Sequence, residues 1–164
     1  MKIGTCVNFS FPEEIPAKLA VLKDNGFDSC QLISWTPSAW TQENALFLKE
    51  RLKEYGIAVS AFWCGWAGPV IWDFYDGQLT LGLVPPEYRQ MRIQNLCDGA
   101  DFAHSLGVSD VVTHMGFIPE NPNDPNFHSF CVAVRTVAQK KKKNGQYLLF
   151  ETGQETPVTL LRCF

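Results

Sequence analysis

No apolar run in this 164-residue sequence approaches the roughly 20 residues that a membrane-spanning helix needs. The first residues, Met1 to Gly4, lead directly into a strand-like segment, without the apolar region of a secretory signal peptide. We therefore expect a cytoplasmic protein that does not interact with membranes.

Basic residues are not in excess either. The sequence has 14 Lys and Arg against 17 Asp and Glu, a net charge of -3, and its pI is near 5.6. This balance argues against a nucleic-acid-binding protein, which usually presents a basic face. The one basic cluster, Lys140 to Lys143, falls at the end of a predicted helix, where cations complement the helix dipole. We interpret it as a solvated helix end and not as a phosphate site.

The sequence also lacks closely spaced cysteine pairs of the C-x-x-C type. Without a secretory signal, scattered cysteines are best interpreted as reduced, mostly buried packing residues, and not as zinc ligands or disulfides. The six are Cys6, Cys30, Cys64, Cys97, Cys131 and Cys163.

A strand–helix motif, in contrast, recurs along the whole chain. Apolar residues make up 46% of the sequence and charged residues 19%, which excludes a disordered chain. Longer amphipathic stretches separate short apolar runs and predict helices, including Pro86 to Leu106 and one that starts at Glu155. The predicted strands are Lys2–Phe9, Phe27–Ser34, Ile57–Trp63, Val108–His114 and Tyr147–Glu151. The predicted helix–strand joints contain Gly26, Gly56, Gly107 and Gly145, as expected where a helix ends at positive φ.

Strands that alternate with helices predict an α/β fold with a parallel sheet, here in a single domain of residues 1–164. Two architectures fit five such units: an open doubly wound sheet, or part of an eight-stranded barrel of about 250 residues. A doubly wound sheet often carries a glycine-rich phosphate loop after its first strand. The segment Asn8 to Glu14 has no glycine and two glutamates. The pattern alone leaves both architectures open.

In either architecture, functional residues collect at the carboxyl ends of the strands. Glu151 ends the fifth predicted strand, where a carboxylate can ligate a divalent metal or transfer a proton. It can equally cap the helix that follows. His114 ends the fourth predicted strand, and its imidazole can bind a metal or a substrate oxygen, or be satisfied locally.

Tryptophans form a third group of candidates near the strand ends. Several aromatic rings at a barrel mouth can form an apolar wall against the carbon face of a sugar, or can pack beneath an ordered loop. We favour substrate binding for Trp35 and Trp63, and packing for Trp40, Trp66 and Trp72.

Two segments, Val108 to Gly116 and Leu149 to Gly153, resemble the fourth and fifth strands of the sugar phosphate isomerase/epimerase family. That family belongs to the xylose isomerase-like TIM barrels. The opening Met1 to Gly4 and the joint Asn25 to Asp28 also resemble it. The resemblance favours the barrel and implies a TIM-barrel domain truncated at its C-terminus, with about five of eight β/α units.

The resemblance also implies a chemistry. Family members act on a small sugar or polyol, bind a divalent cation (Mn²⁺, Mg²⁺, Co²⁺ or Zn²⁺) at the barrel mouth, and move protons next to a sugar carbonyl. It assigns the role of metal ligand and catalytic carboxylate to Glu151, and places His114 near the substrate. The family's other ligands lie on strands six to eight, beyond Phe164. We therefore expect this chain alone to lack appreciable isomerase activity.

Other functions remain open. The chain can be a non-catalytic remnant that acts as a binding or assembly module and self-associates through open sheet edges. A metal-dependent DNA-repair nuclease on the same barrel fits less well, because it needs histidines at earlier strand ends, where Trp35 and Trp63 stand. The strand ends carry no cluster of Arg or Lys, which favours a substrate without phosphate.

Overall fold

The computed structural model describes residues 3–164, and within this range five strands form one parallel sheet in the order β1-β2-β3-β4-β5. Met1 and Lys2, at the start of the resemblance and of the first predicted strand, lie outside the described residues. The strands are β1 (Thr5–Asn8), β2 (Ser29–Ser34), β3 (Ala58–Cys64), β4 (Asp110–His114) and β5 (Tyr147–Glu151).

Six α-helices alternate with these strands in the same range of residues. They are α1 (Ile15–Asp24), α2 (Gln42–Tyr55), α3 (Gly77–Thr80), α4 (Pro86–Leu106), α5 (Pro125–Lys143) and α6 (Pro157–Leu161). The bounds of α4 and β5 are those that the sequence predicts. The short α3 was not predicted, and α6 is shorter than the predicted helix. No helix of residues 3–164 is both long and apolar enough to cross a membrane.

The order of the strands distinguishes between the two architectures. Consecutive strands are neighbours throughout, whereas a doubly wound sheet reverses its strand order at a switch point. One large core joins helix residues such as Leu19, Leu48 and Leu96 to Leu32 and Phe62 of the sheet. The helices therefore cover one face of the sheet, which is the arrangement of a TIM-barrel wall.

The opposite face of the sheet carries a second, smaller cluster. Ile33 of β2, Trp63 of β3 and Val112 of β4 belong to it. A register shift between β2 and β3 sets this alignment: Cys30 pairs with Val59, but Gln31 pairs with Ala61. The skipped residue, Ser60, donates its hydroxyl hydrogen to the Cys30 carbonyl over 3.1 Å. This bulge directs Trp63 to the same face as Ile33.

The four helix–strand joints contain glycines at positive φ, as the sequence predicts. Glycines 26, 56, 107 and 145 have φ values of 79, 61, 85 and 69°. A side chain with a Cβ is unfavourable in this left-handed region, so glycine suits each joint.

The basic run at the end of α5 was predicted to be exposed to solvent, and one of its residues is not. Lys140 pairs with Asp101 over 2.7 Å, as expected for a solvated end. Lys141, however, is 0% exposed, and its Nζ has no hydrogen-bond partner among the described residues. Its amine lies near the thiols of Cys64 and Cys97, and burial lowers its pKa to about 8. The interpretation of a fully solvated run is therefore wrong for Lys141, which packs inward.

The cysteines agree only partly with the expectation of burial. Cys30 and Cys64 are buried, and burial raises the pKa of their thiols to about 11 and about 12. Cys6 on β1 is exposed, because it lies on the face of the sheet opposite to its buried neighbour Val7.

Replacing Lys141 with methionine should stabilise the fold at pH 7. The protonated amine is buried there without a partner, and its removal should raise the free energy of unfolding by roughly 1–3 kcal/mol. The gain should shrink between pH 8 and pH 10.5, where folded Lys141 has lost the proton that the unfolded chain still binds. Urea denaturation at pH 7 and pH 10 measures both effects. Lys142→Met, at an exposed position, is the control; equal effects of the two variants would contradict the prediction.

Candidate active site

Glu151 and His114 lie side by side at the carboxyl ends of neighbouring strands. The register of β4 and β5 pairs the two residues directly. Both line a cleft of about 300 Å³, together with aromatic residues from the loops that follow β3 and β4. The cleft therefore lies at the end of the sheet where TIM-barrel chemistry takes place.

The carboxylate of Glu151 is held by an indole from the neighbouring part of the sheet. Trp63 is buried on β3, and its Nε1–H donates a hydrogen bond to Oε2 of Glu151. Among residues 3–164, no hydrogen bond occupies the other carboxylate oxygen. One oxygen is thus oriented by the protein, while the other remains available for a ligand.

His114 has a defined tautomer. Its Nδ1 accepts a hydrogen bond from the Gly116 N–H over 3.0 Å, so the neutral ring carries its proton on Nε2. Burial lowers the pKa of His114, although the carboxylates of Glu155 and Glu151 act in the opposite direction. A Cβ at Gly153 would lie 3.1 Å from Nε2, so the glycine leaves this nitrogen accessible. His114 is therefore a neutral hydrogen-bond donor at pH 7.

The loop after β5 is tied to the loop after β4. The side-chain amide of Gln154 donates to the Gly116 carbonyl over 3.0 Å and to the Glu155 carboxylate over 2.7 Å. The same carboxylate accepts the Gly153 N–H over 3.1 Å. Gln154 and Glu155 thus fix the floor of the cleft next to His114.

Four of the five tryptophans pack into one cluster, and one of these four lines the cleft, while Trp40 packs against Phe62 in the main core. The ring of Trp35 lies 4.7 Å from Trp63 and 5.1 Å from Trp66. Trp72, expected to be a packing residue, lines the cleft and meets His114 edge-on at 5.1 Å. Trp35 borders a separate depression of about 190 Å³. Substrate binding by Trp35 and Trp63 stays a prediction.

Sequence reasoning missed Arg92, which holds the loop between β3 and α4. Its side chain is 0% exposed, and its guanidinium donates to the carbonyls of Ala67, Pro69 and Gly82 over 3.3, 2.8 and 2.8 Å. Its guanidinium carbon also lies 5.4 Å from the centre of the Trp66 ring. Burial lowers the pKa of Arg92 to about 10, which leaves it charged at neutral pH.

Two glycines allow this loop to dock against the loop after β4. A Cβ at Gly82 would clash with the Met115 carbonyl, and one at Gly116 would clash with the Leu81 carbonyl. The Leu83 N–H donates to Met115 O over 2.9 Å at the same contact. The loop from β3 is therefore held directly beside His114.

A divalent cation at this cleft has Glu151 as its candidate ligand, because Nδ1 of His114 accepts the Gly116 N–H and Nε2 carries the proton. No group of three or more His, Cys, Asp or Glu side chains in residues 3–164 is arranged to hold a metal ion. Mg²⁺ requires octahedral coordination, and Ca²⁺ takes six to eight ligands. The residues present therefore do not form a complete metal site.

A family model and solved structures of known proteins identify the same fold for this chain. The family model described as xylose isomerase-like TIM barrel matches residues 19–163. No curated protein matches the sequence. Among solved structures, a xylose isomerase domain protein from Planctomyces limnophilus is 26% identical, with a TM-score of 0.87 over 98% of this chain and 57% of its own.

Two other solved structures share the fold at lower identity. A xylose isomerase-like TIM barrel protein from Mycobacterium smegmatis, in complex with magnesium, is 18% identical, with a TM-score of 0.65 over 93% of this chain and 52% of its own. D-Psicose 3-epimerase from Clostridium cellulolyticum H10, with D-tagatose, is 16% identical, with a TM-score of 0.62 over 99% and 60%. The chain thus spans between half and two thirds of each protein.

Replacing Arg92 with methionine should loosen the loop beside the cleft. Three carbonyls lose their donor, so the free energy of unfolding should fall by about 2–4 kcal/mol. Chymotrypsin should cut faster after Trp72, Phe74 and Tyr75, which lie in this loop. Urea denaturation and limited proteolysis measure these effects.

The matched control for this prediction is Arg135→Met, at an exposed position on α5. A surface change of this kind should alter stability by less than about 0.5 kcal/mol. Wild-type stability and an unchanged cleavage pattern in Arg92→Met would show that the loop does not depend on the guanidinium.

Proposed function

This chain belongs to the xylose isomerase-like TIM barrel family, and from that premise we propose that it carries part of the active site of a metal-dependent sugar isomerase or epimerase. The observation that carries the proposal is the pairing of Glu151 with His114 at the mouth of the barrel wall, with the Glu151 carboxylate oriented by Trp63. Residues 1–164 form one domain in this proposal.

The two residues have complementary roles. Glu151 takes a proton from a carbon next to the sugar carbonyl, and its hydrogen bond to Trp63 keeps the carboxylate in one orientation while it does so. Neutral His114 donates its Nε2–H to a substrate oxygen. Trp35 and Trp63 contribute apolar surface near the sugar. A bound divalent cation would polarise the carbonyl as a Lewis acid.

The similar structures favour these classes of ligand. One is an epimerase with D-tagatose, and another is a protein in complex with magnesium. The charge of the cleft favours a sugar without phosphate, because its described lining includes Asp73 and Glu151 but no Lys or Arg. The substrate class in this proposal is an unphosphorylated sugar or polyol.

The proposal includes inactivity of the chain by itself. Glu151 supplies a single carboxylate, which gives fewer ligands than an Mn²⁺ or Mg²⁺ ion needs for a fixed geometry. A weakly held ion cannot organise a transition state. We therefore propose that metal binding by this chain is weak and that its turnover of sugars is negligible.

Replacing Glu151 with glutamine tests the proposed site through metal binding. Mn²⁺ is paramagnetic, so an ion at Glu151 should broaden the NMR signal of the Trp63 indole N–H that donates to the carboxylate. Glu151→Gln should reduce this broadening by about half or more, because the amide is a weaker ligand for Mn²⁺. The control is Glu50→Gln, at an exposed position on α2.

Two outcomes would contradict the proposal. Equal broadening in wild type and Glu151→Gln would show that Mn²⁺ does not bind at this carboxylate. Enzyme-like turnover of ketoses by the unmodified chain with Mn²⁺ would show that its own residues suffice for catalysis, against the proposed inactivity.

A second candidate function is that of a non-catalytic assembly module. Tyr147 and Leu149 point away from the helix-covered core, and Tyr147 is 67% exposed. Among the described residues, β1 and β5 each pair with one neighbour only. Unpaired edges beside exposed apolar residues favour pairing with another chain.

Self-association through this surface should be visible by sedimentation. We expect the chain to form dimers or larger species at micromolar concentration, and Leu149→Lys to shift it towards the monomer, because the lysine opposes edge pairing. Leu46→Lys, at an exposed position on α2, is the control. A monomer at every concentration would exclude the assembly module.

A further inference from the structure

The cleft has two chemically different halves. His114, Glu151 and Gln154 form a polar half at the ends of β4 and β5, while Leu81, Phe74 and Phe117 form an apolar half on the loops. The rings of Phe74 and Phe117 meet edge-on, with 6.1 Å between their centres. Phe74 is nonetheless 78% exposed, so most of its surface faces solvent.

The exposed ring of Phe74 is held in place by its loop. Oδ1 of Asp73 accepts the backbone N–H groups of Tyr75 and Asp76 over 2.8 and 2.6 Å. Oγ1 of Thr80 accepts the Ile71 N–H over 3.2 Å and closes the other side of the turn. These bonds, with the Arg92 contacts, fix the backbone of the loop that carries Phe74 and Leu81 before any ligand arrives.

A free monosaccharide uses the apolar half poorly. Its hydroxyl groups suit His114 and Glu151, but its one carbon face offers the ring of Phe74 less apolar surface than an aromatic group does. A sugar phosphate is also unsuited, because the described lining contributes acidic side chains and no cation. The occupant that matches both halves is polar at one end and aromatic at the other.

We propose that the cleft binds a glycoside whose sugar ring keeps a keto group at another carbon, with this ring at Glu151 and His114 and an aromatic aglycone against Phe74 and Phe117. Simple glucosides without the keto group then serve as unreactive analogues for binding. This inference rests on the proposed function for the position of the sugar. The aglycone gains edge-to-face contact with two rings that are already positioned. Phe74 is thus a specificity-determining residue, and it takes no part in the chemistry.

Two glucosides that differ only in the aglycone test the inference by binding, without turnover. Phenyl β-D-glucopyranoside and methyl β-D-glucopyranoside are titrated into the unmodified chain, with and without Mn²⁺, by isothermal calorimetry. The phenyl glucoside should bind about tenfold more tightly. Phe74→Ala should reduce the ratio to about twofold, since the exposed side chain can be removed without disturbing the core. Val132→Ala, on α5, should keep the ratio of the wild type.

Each alternative outcome has a distinct meaning. Equal affinity for the two glucosides, or a ratio that Phe74→Ala leaves unchanged, overturns the aglycone subsite, while the Mn²⁺ experiment on Glu151 still stands. Binding of neither glucoside overturns the subsite whatever the Mn²⁺ result. If sedimentation shows that Phe74→Ala abolishes a dimer, the ring contacts a second copy of the chain and the inference is wrong.

Discussion

Three backbone carbonyls in the loop between β3 and α4 converge on one buried cation, the guanidinium of Arg92. The loop has few ladder hydrogen bonds of its own, so its polar groups need a donor from elsewhere. A guanidinium suits this task because its donors lie in a fixed planar fork, and the carbonyl dipoles compensate its buried charge. Phe74 and Leu81 of the apolar half lie on this loop together with Trp72, so their position depends on Arg92, whereas Phe117 lies on the loop after β4.

The polar half depends instead on the register of the sheet. Glu151 lies beside His114 because β4 and β5 pair in parallel, and Trp63 reaches the carboxylate because the bulge at Ser60 sets the face to which it points. A shift of one residue in β3 would turn Trp63 into the helix-covered core and leave Glu151 without its indole. Loop and sheet thus position the two halves of the cleft by separate means.

Much of this arrangement is predictable from the sequence. Apolar periodicity predicts the bounds of β5 and α4 and the glycine joints. The rule that functional residues lie at the carboxyl ends of parallel strands predicts the position of Glu151 and His114. The bulge is not predictable, because one extra residue in a short apolar strand leaves the pattern almost unchanged. Arg92 and Lys141 were missed for a common reason: a charged residue on a helix is normally exposed, and only tertiary contacts show that these two are buried. Trp72 enters the cleft through a loop whose path depends on Arg92.

Binding and chemistry place different demands on this chain. The proposed chemistry at Glu151 requires a cation with several ligands, and no group of three or more His, Cys, Asp or Glu side chains in residues 3–164 is arranged to hold one. The proposed recognition of an aromatic group requires only Phe74, Phe117 and the two loops that carry them, which lie in the described residues. Since Arg92, Asp73 and Thr80 hold the loop without help from a metal, the apolar half is preorganised whether or not a cation is present. Under the proposed function, affinity for an aglycone can therefore exist where turnover does not, and substrate specificity can reside in a part of the barrel that is separate from the metal chemistry.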